Sequence, residues 1–218
     1  PQVHGAIRDA LSYVKHALDV ELNSVTDNPI VFLDNGDVIS GGNFHGEPMA
    51  LAFDFLGIAV SEIASISERR LERMVNGALS NGLPEFLTNK GGLNSGFMIC
   101  QYCAASMVSE NKVFAHPASV DSIPSSANQE DHVSMGTTAA RKARQIVENT
   151  LSVLAFEFMA AAQGIDLRKD TPSAVSHKVY DMIRSKVAYW EEDREIRIDV
   201  EAMNELVRSG EIIEAVSM

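Results

Sequence analysis

The fold of this chain is decided by the stretch Leu151–Ala162, which reads LSVLAFEFMAAA. Only Ser152 and Glu157 are polar here, so a helix built from these residues is apolar on all sides and must be surrounded by other helices. A seven-residue repeat predicts that this helix runs from Asp131 to Gln163, a length of about 50 Å. The repeat consists of Val133, Ala140, Val147, Leu154 and Ala161. We expect Glu157 to be structural and paired with a buried Arg or Lys.

Helical periodicity continues on both sides of this stretch and predicts an all-α chain with one small hairpin. The other predicted helices are Val3–Leu22, Pro48–Asn76 and Phe97–Ala115, with two or three short helices after Pro172. Turn residues at 34–37 predict the hairpin. Since 218 residues can hardly enclose several such helices alone, we predict a long-helix bundle that forms part of an oligomeric central core. Residues 1–168 are assigned to that core and 169–218 to a short-helix region.

Composition narrows the possible partners. The net charge is −12 and the pI is about 4.9, which argues against nucleic acid or an anionic membrane as a partner. No apolar run reaches membrane-spanning length, because Asp54 and Glu157 interrupt the two best candidates. No signal peptide is visible either. Two cysteines exclude a disulfide framework and favour a reducing compartment, with the cytoplasm as the default.

Polar side chains concentrate at Asn128–His132, which reads NQEDH and follows a segment with two prolines. If Asn128 caps the long helix, Glu130 lies at the second helical position, where free N–H groups and the helix dipole keep a carboxylate ionised. Such a group suits holding a substrate's N–H or cationic group. The alternative is an acid that only stabilises the helix start. The loop Asn43–Glu47, NFHGE, precedes another helix and either packs into a core or lines a pocket.

Three patterns that could indicate other chemistry are weaker. Cys100 and Cys103 have the C-x-x-C spacing, but they lie inside an apolar helix, where a redox site is not expected. His116, Asp121 and the acidic and imidazole groups at 130–132 fit no zinc spacing, so no metal site is predicted. The serines at 125–126 lack the Gly-x-Ser-x-Gly turn of a hydrolase and are expected to cap backbone N–H groups.

Several motifs together resemble the aromatic amino acid lyase family. They are TDNP at 26–29, SGGNFHGEP at 40–48, SERR at 67–70, GLNSGFM at 92–98 and the whole run from Ser109 to Gly136. The resemblance covers about residues 1–168 in register. Within it, the string NQEDHVSMG at 128–136 resembles in particular the members that act on L-histidine.

The resemblance implies a helical homotetramer with active sites shared between subunits, which eliminates ammonia from L-histidine to give trans-urocanate. In the family the electrophile is 4-methylidene-imidazol-5-one, made from the protein's own Ala-Ser-Gly, without a metal or a diffusible cofactor. This chain has no Ala-Ser-Gly, since Ser-Gly follows only Ile39, Asn94 and Arg208. We therefore expect it to be the C-terminal part of such an enzyme, inactive without an N-terminal part that carries the tripeptide.

The resemblance also assigns roles to individual residues. Glu130 matches the catalytic acid that contacts the substrate imidazole and assists proton transfer, and Phe44 matches a pocket-lining aromatic beside the electrophile. The neighbours expected to support them are Asn43, His45, Gln129 and His132. Two alternatives stay open: a non-catalytic helical assembly or regulatory protein of the same family, and a lyase or aminomutase acting on another aromatic amino acid.

Overall fold

The computed structural model describes residues 1–169 and 171–217, and within them it contains seven α-helices and one hairpin. The elements are α1 (Gln2–Leu22), β1 (Ile30–Val31), β2 (Val38–Ile39), α2 (Glu47–Val75), α3 (Met98–Phe114), α4 (Gly136–Arg168), α5 (Ala174–Lys186), α6 (Ile196–Ser209) and α7 (Glu211–Ser217). Two short 3-10 turns lie at Glu85–Leu87 and Ser126–Asn128. The predicted all-α fold is confirmed, whereas its place in an oligomeric core stays a prediction.

The helix boundaries follow the apolar periodicity closely, with one exception. The helices α1, α2 and α3 begin and end within one or two residues of their predicted ends. The hairpin also forms, because β1 and β2 pair antiparallel with Ile30 opposite Ile39. The prediction for α4 was wrong at both ends, since the helix begins at Gly136 instead of Asp131 and continues to Arg168.

The chain divides into two compact units. Unit 1 consists of Pro1–Glu62 and Asn111–Val147, and unit 2 consists of Ile63–Glu110 and Glu148–Met218. The predicted division into residues 1–168 and 169–218 stays a prediction.

Small residues bring α2 and α4 close together in unit 1. A Cβ atom on Gly57 would lie 3.0 Å from Cδ1 of Ile146, and one on Gly136 would lie 3.2 Å from the carbonyl oxygen of Gly46. These two contacts are ten or eleven residues apart on both helices, so the helices run in the same direction here. As a result, the first turns of α2 and α4 lie side by side, and the loops that precede them share one end of the unit.

The core of unit 2 is built around the second half of α4. Val153, Phe156 and Met159 are buried there, and the edge of the Phe97 ring packs against Trp190 with the ring centroids 4.8 Å apart. One buried polar side chain in this core is well satisfied: Gln163 is fully buried, donates to two backbone carbonyls and accepts the N–H of Trp190 at 3.1 Å. A buried amide with these partners holds the connection after α5 against α4.

Glu157 has the basic partner that its position in an apolar helix predicts. Its carboxylate accepts hydrogen bonds from Nε and Nη2 of Arg70 and, at 2.6 Å, from the hydroxyl of Ser67. The hydrogen bond to Glu157 raises the pKa of Arg70 above its ordinary value, although burial opposes this. The prediction of a cationic partner is confirmed, but that partner is not buried, because 43% of the Arg70 side chain is exposed.

Within the described residues, α2 and α4 are long and apolar enough to cross a membrane by length and composition alone. The prediction that no stretch reaches that length was therefore too strict. Core helices of globular proteins meet the same criterion, and 39% and 50% of the residues in the two apolar windows are buried inside the chain. Each helix also carries an ion-paired carboxylate, Asp54 in α2 and Glu157 in α4. This burial and pairing favours core helices.

Candidate functional site

The segment that carries Glu130 is a turn and not the start of a helix. Ser126, Ala127 and Asn128 have φ angles of 50°, 56° and 67°, in the left-handed region that non-glycine residues rarely adopt. This conformation folds the chain back on itself, so Asn128 does not cap α4 and Glu130 is not in its first turn. The predicted effect of the helix dipole on Glu130 was therefore wrong. Met135, with φ of 57°, precedes the true helix start at Gly136.

Backbone hydrogen bonds hold this segment in place and leave the Glu130 side chain outside. The backbone N–H and C=O of Glu130 both pair with Ser125, at 3.3 and 3.1 Å. Farther along, the N–H of Val133 donates to the hydroxyl of Ser122 at 2.9 Å. The Glu130 side chain is exposed in the single chain. The Glu130 carboxylate is thus exposed, while the backbone N–H and C=O of the same residue are both hydrogen-bonded.

The loop before α2 is held in a similar way. The amide of Asn43 donates to the carbonyl oxygen of Val25 at 2.9 Å, and Nδ1 of His45 accepts the N–H of Glu47, the first residue of α2. Phe44 lies between these two contacts, and 56% of its surface is exposed. The loop therefore does not bury its aromatic side chain in the core of the chain, which leaves the pocket-lining alternative.

The structure brings these two segments together inside unit 1, although 87 residues separate them. Nε2 of His45 lies 2.8 Å from the carbonyl oxygen of His132, and the two imidazole rings stack with centroids 5.9 Å apart. Nε2 of His132 lies 3.9 Å from Oε2 of Glu47. Of the predicted site residues, His45 and His132 are in direct contact. Phe44, Gln129 and Glu130 point exposed side chains from the same two segments.

A buried ion pair supports the same segment farther upstream, and the sequence reasoning missed it. Asp54 is only 7% exposed, accepts the N–H of Ser119 at 2.7 Å and lies 3.3 Å from Nζ of Lys142, which also donates to the carbonyl oxygen of His116. The pair joins α2, α4 and the start of the loop after α3. Its signal was visible, since an acid inside an apolar helix needs a buried partner.

A cleft of about 660 Å³ opens beside this ion pair in unit 1. Its lining includes Lys112, His116, Val120, Asp121 and Met135. Neither Phe44 nor Glu130 lines this cleft, so it is separate from the side chains predicted to meet a substrate.

The other candidate chemistry of the sequence is not assembled in the described residues. Among residues 1–169 and 171–217, no group of three or more His, Cys, Asp or Glu side chains is placed to hold a metal ion. Cys100 and Cys103 are free thiols inside α3. Burial raises the pKa of Cys100 well above its ordinary value, which suits an inert core residue and not a redox centre.

Comparisons with known proteins identify the family of this chain. A family model for the aromatic amino acid lyases matches residues 1–185. The histidine ammonia-lyase of Alkaliphilus oremlandii is 64% identical over 217 residues, which cover 99% of this chain and 43% of that protein. The chain thus spans less than half the length of the curated relatives it matches.

Solved structures give the same fold. The crystal structure of histidine ammonia-lyase from Trypanosoma cruzi matches all of this chain and 43% of its own, with 52% identity and a TM-score of 0.95. Tyrosine aminomutase from Streptomyces globisporus matches all of this chain and 41% of its own, with 41% identity and a TM-score of 0.93.

Proposed function

Since this chain belongs to the aromatic amino acid lyase family, we propose that it supplies the substrate-side part of an active site that eliminates ammonia from L-histidine to give trans-urocanate. The observation that carries the proposal is the contact between His45 and His132, because it joins the loop of Phe44 to the segment of Glu130. The identity of 64% to a histidine ammonia-lyase, which extends over both segments, supports histidine as the substrate.

In this proposal Glu130 and Phe44 have different tasks. The elimination breaks the bond between Cα and the amino nitrogen and removes a proton from Cβ. Glu130 accepts a hydrogen bond from the substrate imidazole and assists the proton transfer, and Phe44 packs against the substrate. The exposed carboxylate on a fully paired backbone suits this task, because the group keeps its position while its oxygens stay available.

The electrophile of the family cannot be built from this chain. The 4-methylidene-imidazol-5-one group activates the substrate for loss of ammonia, and it forms from Ala-Ser-Gly, which these residues lack. The group must therefore come from another segment, on the same polypeptide or on a partner. Glu130 alone does not lower the barrier enough, because removal of a weakly acidic β-proton needs an electrophile.

We also propose a homo-oligomer, a tetramer in the complete enzyme, in the cytoplasm and without a nucleic acid or membrane partner. Leu51, Phe55 and Ile58 support self-association, since they form an exposed apolar stripe on α2 at helical spacing. Exposed apolar stripes of this kind favour a protein partner. The free thiols of Cys100 and Cys103 and the net charge of −12 support the cytoplasm and the absence of nucleic acid.

The test is to join this chain to, or express it with, the Ala-Ser-Gly segment of a related histidine ammonia-lyase and to follow urocanate by its absorbance. We expect urocanate from L-histidine in the combination and none from this chain alone. Activity of the chain alone would contradict the divided site, and no activity in any combination would contradict the proposed function.

The likeness to a tyrosine aminomutase favours one second candidate, a lyase or aminomutase acting on another aromatic amino acid. The same assembly decides between them when L-tyrosine and L-phenylalanine replace L-histidine. The carboxylate of Glu130 suits a substrate with a ring N–H, which histidine has and which tyrosine and phenylalanine lack. A preference of the assembly for tyrosine or phenylalanine would therefore favour the second candidate.

A further inference from the structure

His45 lies between the two segments of the candidate site and contacts both through its ring nitrogens. Nδ1 accepts the N–H of Glu47 at 3.2 Å, and Nε2 lies 2.8 Å from the carbonyl oxygen of His132. The first contact is with the first residue of α2, three residues after Phe44. The second crosses to the segment of Glu130.

These two contacts require a single form of the imidazole. A carbonyl oxygen can only accept, so Nε2 of His45 must carry a hydrogen and donate it to His132. A backbone N–H can only donate, so Nδ1 must be without a hydrogen. The ring is therefore the neutral Nε2–H tautomer, and one side chain both accepts from the start of α2 and donates to the Glu130 segment.

The acceptor of His45 lies at a sensitive place in that segment. His132 is two residues after Glu130, and the next residue, Val133, is anchored to Ser122. On the other side, Glu130 is anchored to Ser125. The hydrogen bond from His45 thus falls between two contacts that the segment makes with its own neighbours in sequence, Glu130 with Ser125 and Val133 with Ser122. This hydrogen bond joins the segment directly to the loop of Phe44.

We propose that His45 is a positioning residue that sets the placement of Glu130 relative to Phe44 by donating from Nε2 to the carbonyl oxygen of His132. The inference rests on the proposed function, because it concerns how the acid and the aromatic face one substrate. Groups held in the wrong place by about 1 Å lose about 100-fold in rate. His45 does not need to contact the substrate for this effect.

The two hydrogen bonds can be removed separately, since asparagine and glutamine imitate different ring nitrogens. The side-chain oxygen of asparagine falls near the position of Nδ1, so His45→Asn keeps the acceptor for Glu47 and loses the donor. The side-chain nitrogen of glutamine falls near Nε2, so His45→Gln keeps the donor for His132. His45→Ala removes both groups. His177→Gln, at an exposed histidine of α5, serves as the matched control.

The variants are compared in the assembly that contains the Ala-Ser-Gly segment, by kcat and KM for L-histidine. We expect His45→Ala and His45→Asn to lower kcat/KM by about 10- to 100-fold, mainly through kcat, and His45→Gln to stay within about fivefold of the parent. Hydrogen exchange provides a readout that does not depend on turnover. The backbone amides of residues 125–134 should exchange at least about tenfold faster in His45→Ala and His45→Asn than in the parent. In His45→Gln their exchange rates should stay unchanged.

The outcomes separate the inference from the function on which it rests. With an active parent, equal rates for His45→Asn and the parent, or equal losses for His45→Gln and His45→Ala, would overturn the positioning role. If His45→Ala does not fold, the order of the asparagine and glutamine variants decides alone. A parent assembly that makes no urocanate would overturn the proposed function and the positioning role with it.

Discussion

Two glutamates, in different regions of the molecule, show how this chain treats a structural acid and a candidate functional one. In the second half of α4, the carboxylate of Glu157 is saturated by Arg70 and Ser67 and sits in a regular helix. In the segment at 125–135, the main chain of Glu130 is paired with Ser125 while its side chain is exposed. The candidate site is therefore marked by a hydrogen-bonded backbone with an exposed side chain, and not by the density of polar residues.

Backbone strain also distinguishes the segment of Glu130 from the helix of Glu157, although Asn81, Phe86, Leu87 and Lys169 have positive φ angles elsewhere in the described residues. Three consecutive residues before Glu130 have positive φ angles, and Met135 adds a fourth before α4 begins. Each such non-glycine residue costs about 1–2 kcal/mol, so the surrounding structure must enforce it. The helical region around Glu157 contains no comparable residue between 136 and 168, a stretch that the structure describes throughout. The fold thus tolerates unfavourable conformations where it presents Glu130.

Removal of the negative charge of Glu130 should lower activity more than any other change considered. In the assembly that contains the Ala-Ser-Gly segment, Glu130→Gln should lower kcat by about 10²- to 10⁴-fold, the range for loss of an acid–base group. The melting temperature should stay unchanged, because the side chain is exposed. Urocanate absorbance and thermal unfolding measure the two quantities. A rate near that of the parent would remove Glu130 from the site and leave the comparison without its functional half.

The opposite result is expected for Glu157. Glu157→Ala leaves the buried hydroxyl of Ser67 without its acceptor and Arg70 without its counter-ion. The free energy of unfolding should fall by about 1–3 kcal/mol. The loss is not expected to be larger, because Arg70 is partly exposed and water can replace its counter-ion. Urea unfolding measures this loss, with Glu201→Ala as the control, since Glu201 forms an exposed pair with Arg197. Equal stability of the two variants would contradict a structural role for Glu157.

A smaller loss of stability is expected at Asp54. Asp54→Asn keeps an acceptor for the N–H of Ser119 but removes the charge beside Lys142. The free energy of unfolding should therefore fall by about 1–2 kcal/mol. Because the pair supports the loop after α3, hydrogen exchange at 116–121 should also accelerate. Asp181→Asn, at a carboxylate that is 62% exposed, is the control and should change neither quantity. If both variants behave alike, Asp54 belongs with the exposed charges instead of with Glu157.

The sequence predicted the helices well, because apolar periodicity is a local property of each helix. The prediction failed at the start of α4, where Asn128 followed by acids is typical of a helix cap. The structure instead turns the chain through Ser126, Ala127 and Asn128 in the left-handed region. Alanine rarely adopts the left-handed region, so its presence at position 127 does not indicate such a turn in the sequence.

The membership of the candidate site stays a prediction from the family motifs, and its geometry could not be predicted from the sequence. The family motifs named Phe44, His45, Glu130 and His132, but they contained no statement of which pair is in contact. That contact depends on the packing of α2 against α4, which places Gly46 beside Gly136. The apolar surroundings of Asp54 indicated that it needs a partner, but that the partner is Lys142, 88 residues away, appears only after these helices are packed.

The same contrast between a buried and an accessible side chain can be tested within α3. This helix carries one buried thiol, Cys100, and one half-buried thiol, Cys103. Burial raises the pKa of Cys100 and shields it, so at about pH 8.5 this thiol stays protonated and inaccessible, whereas the half-buried Cys103 is accessible to a reagent. Iodoacetamide should therefore modify Cys103 and leave Cys100 unmodified until urea unfolds the chain, as peptide mass spectrometry would measure. Cys103→Ser should abolish labelling of the folded protein. Labelling of Cys100 at the rate of Cys103 would mean that burial in unit 2 does not suppress side-chain chemistry, and the contrast between saturated and presented groups would then rest on Glu130 alone.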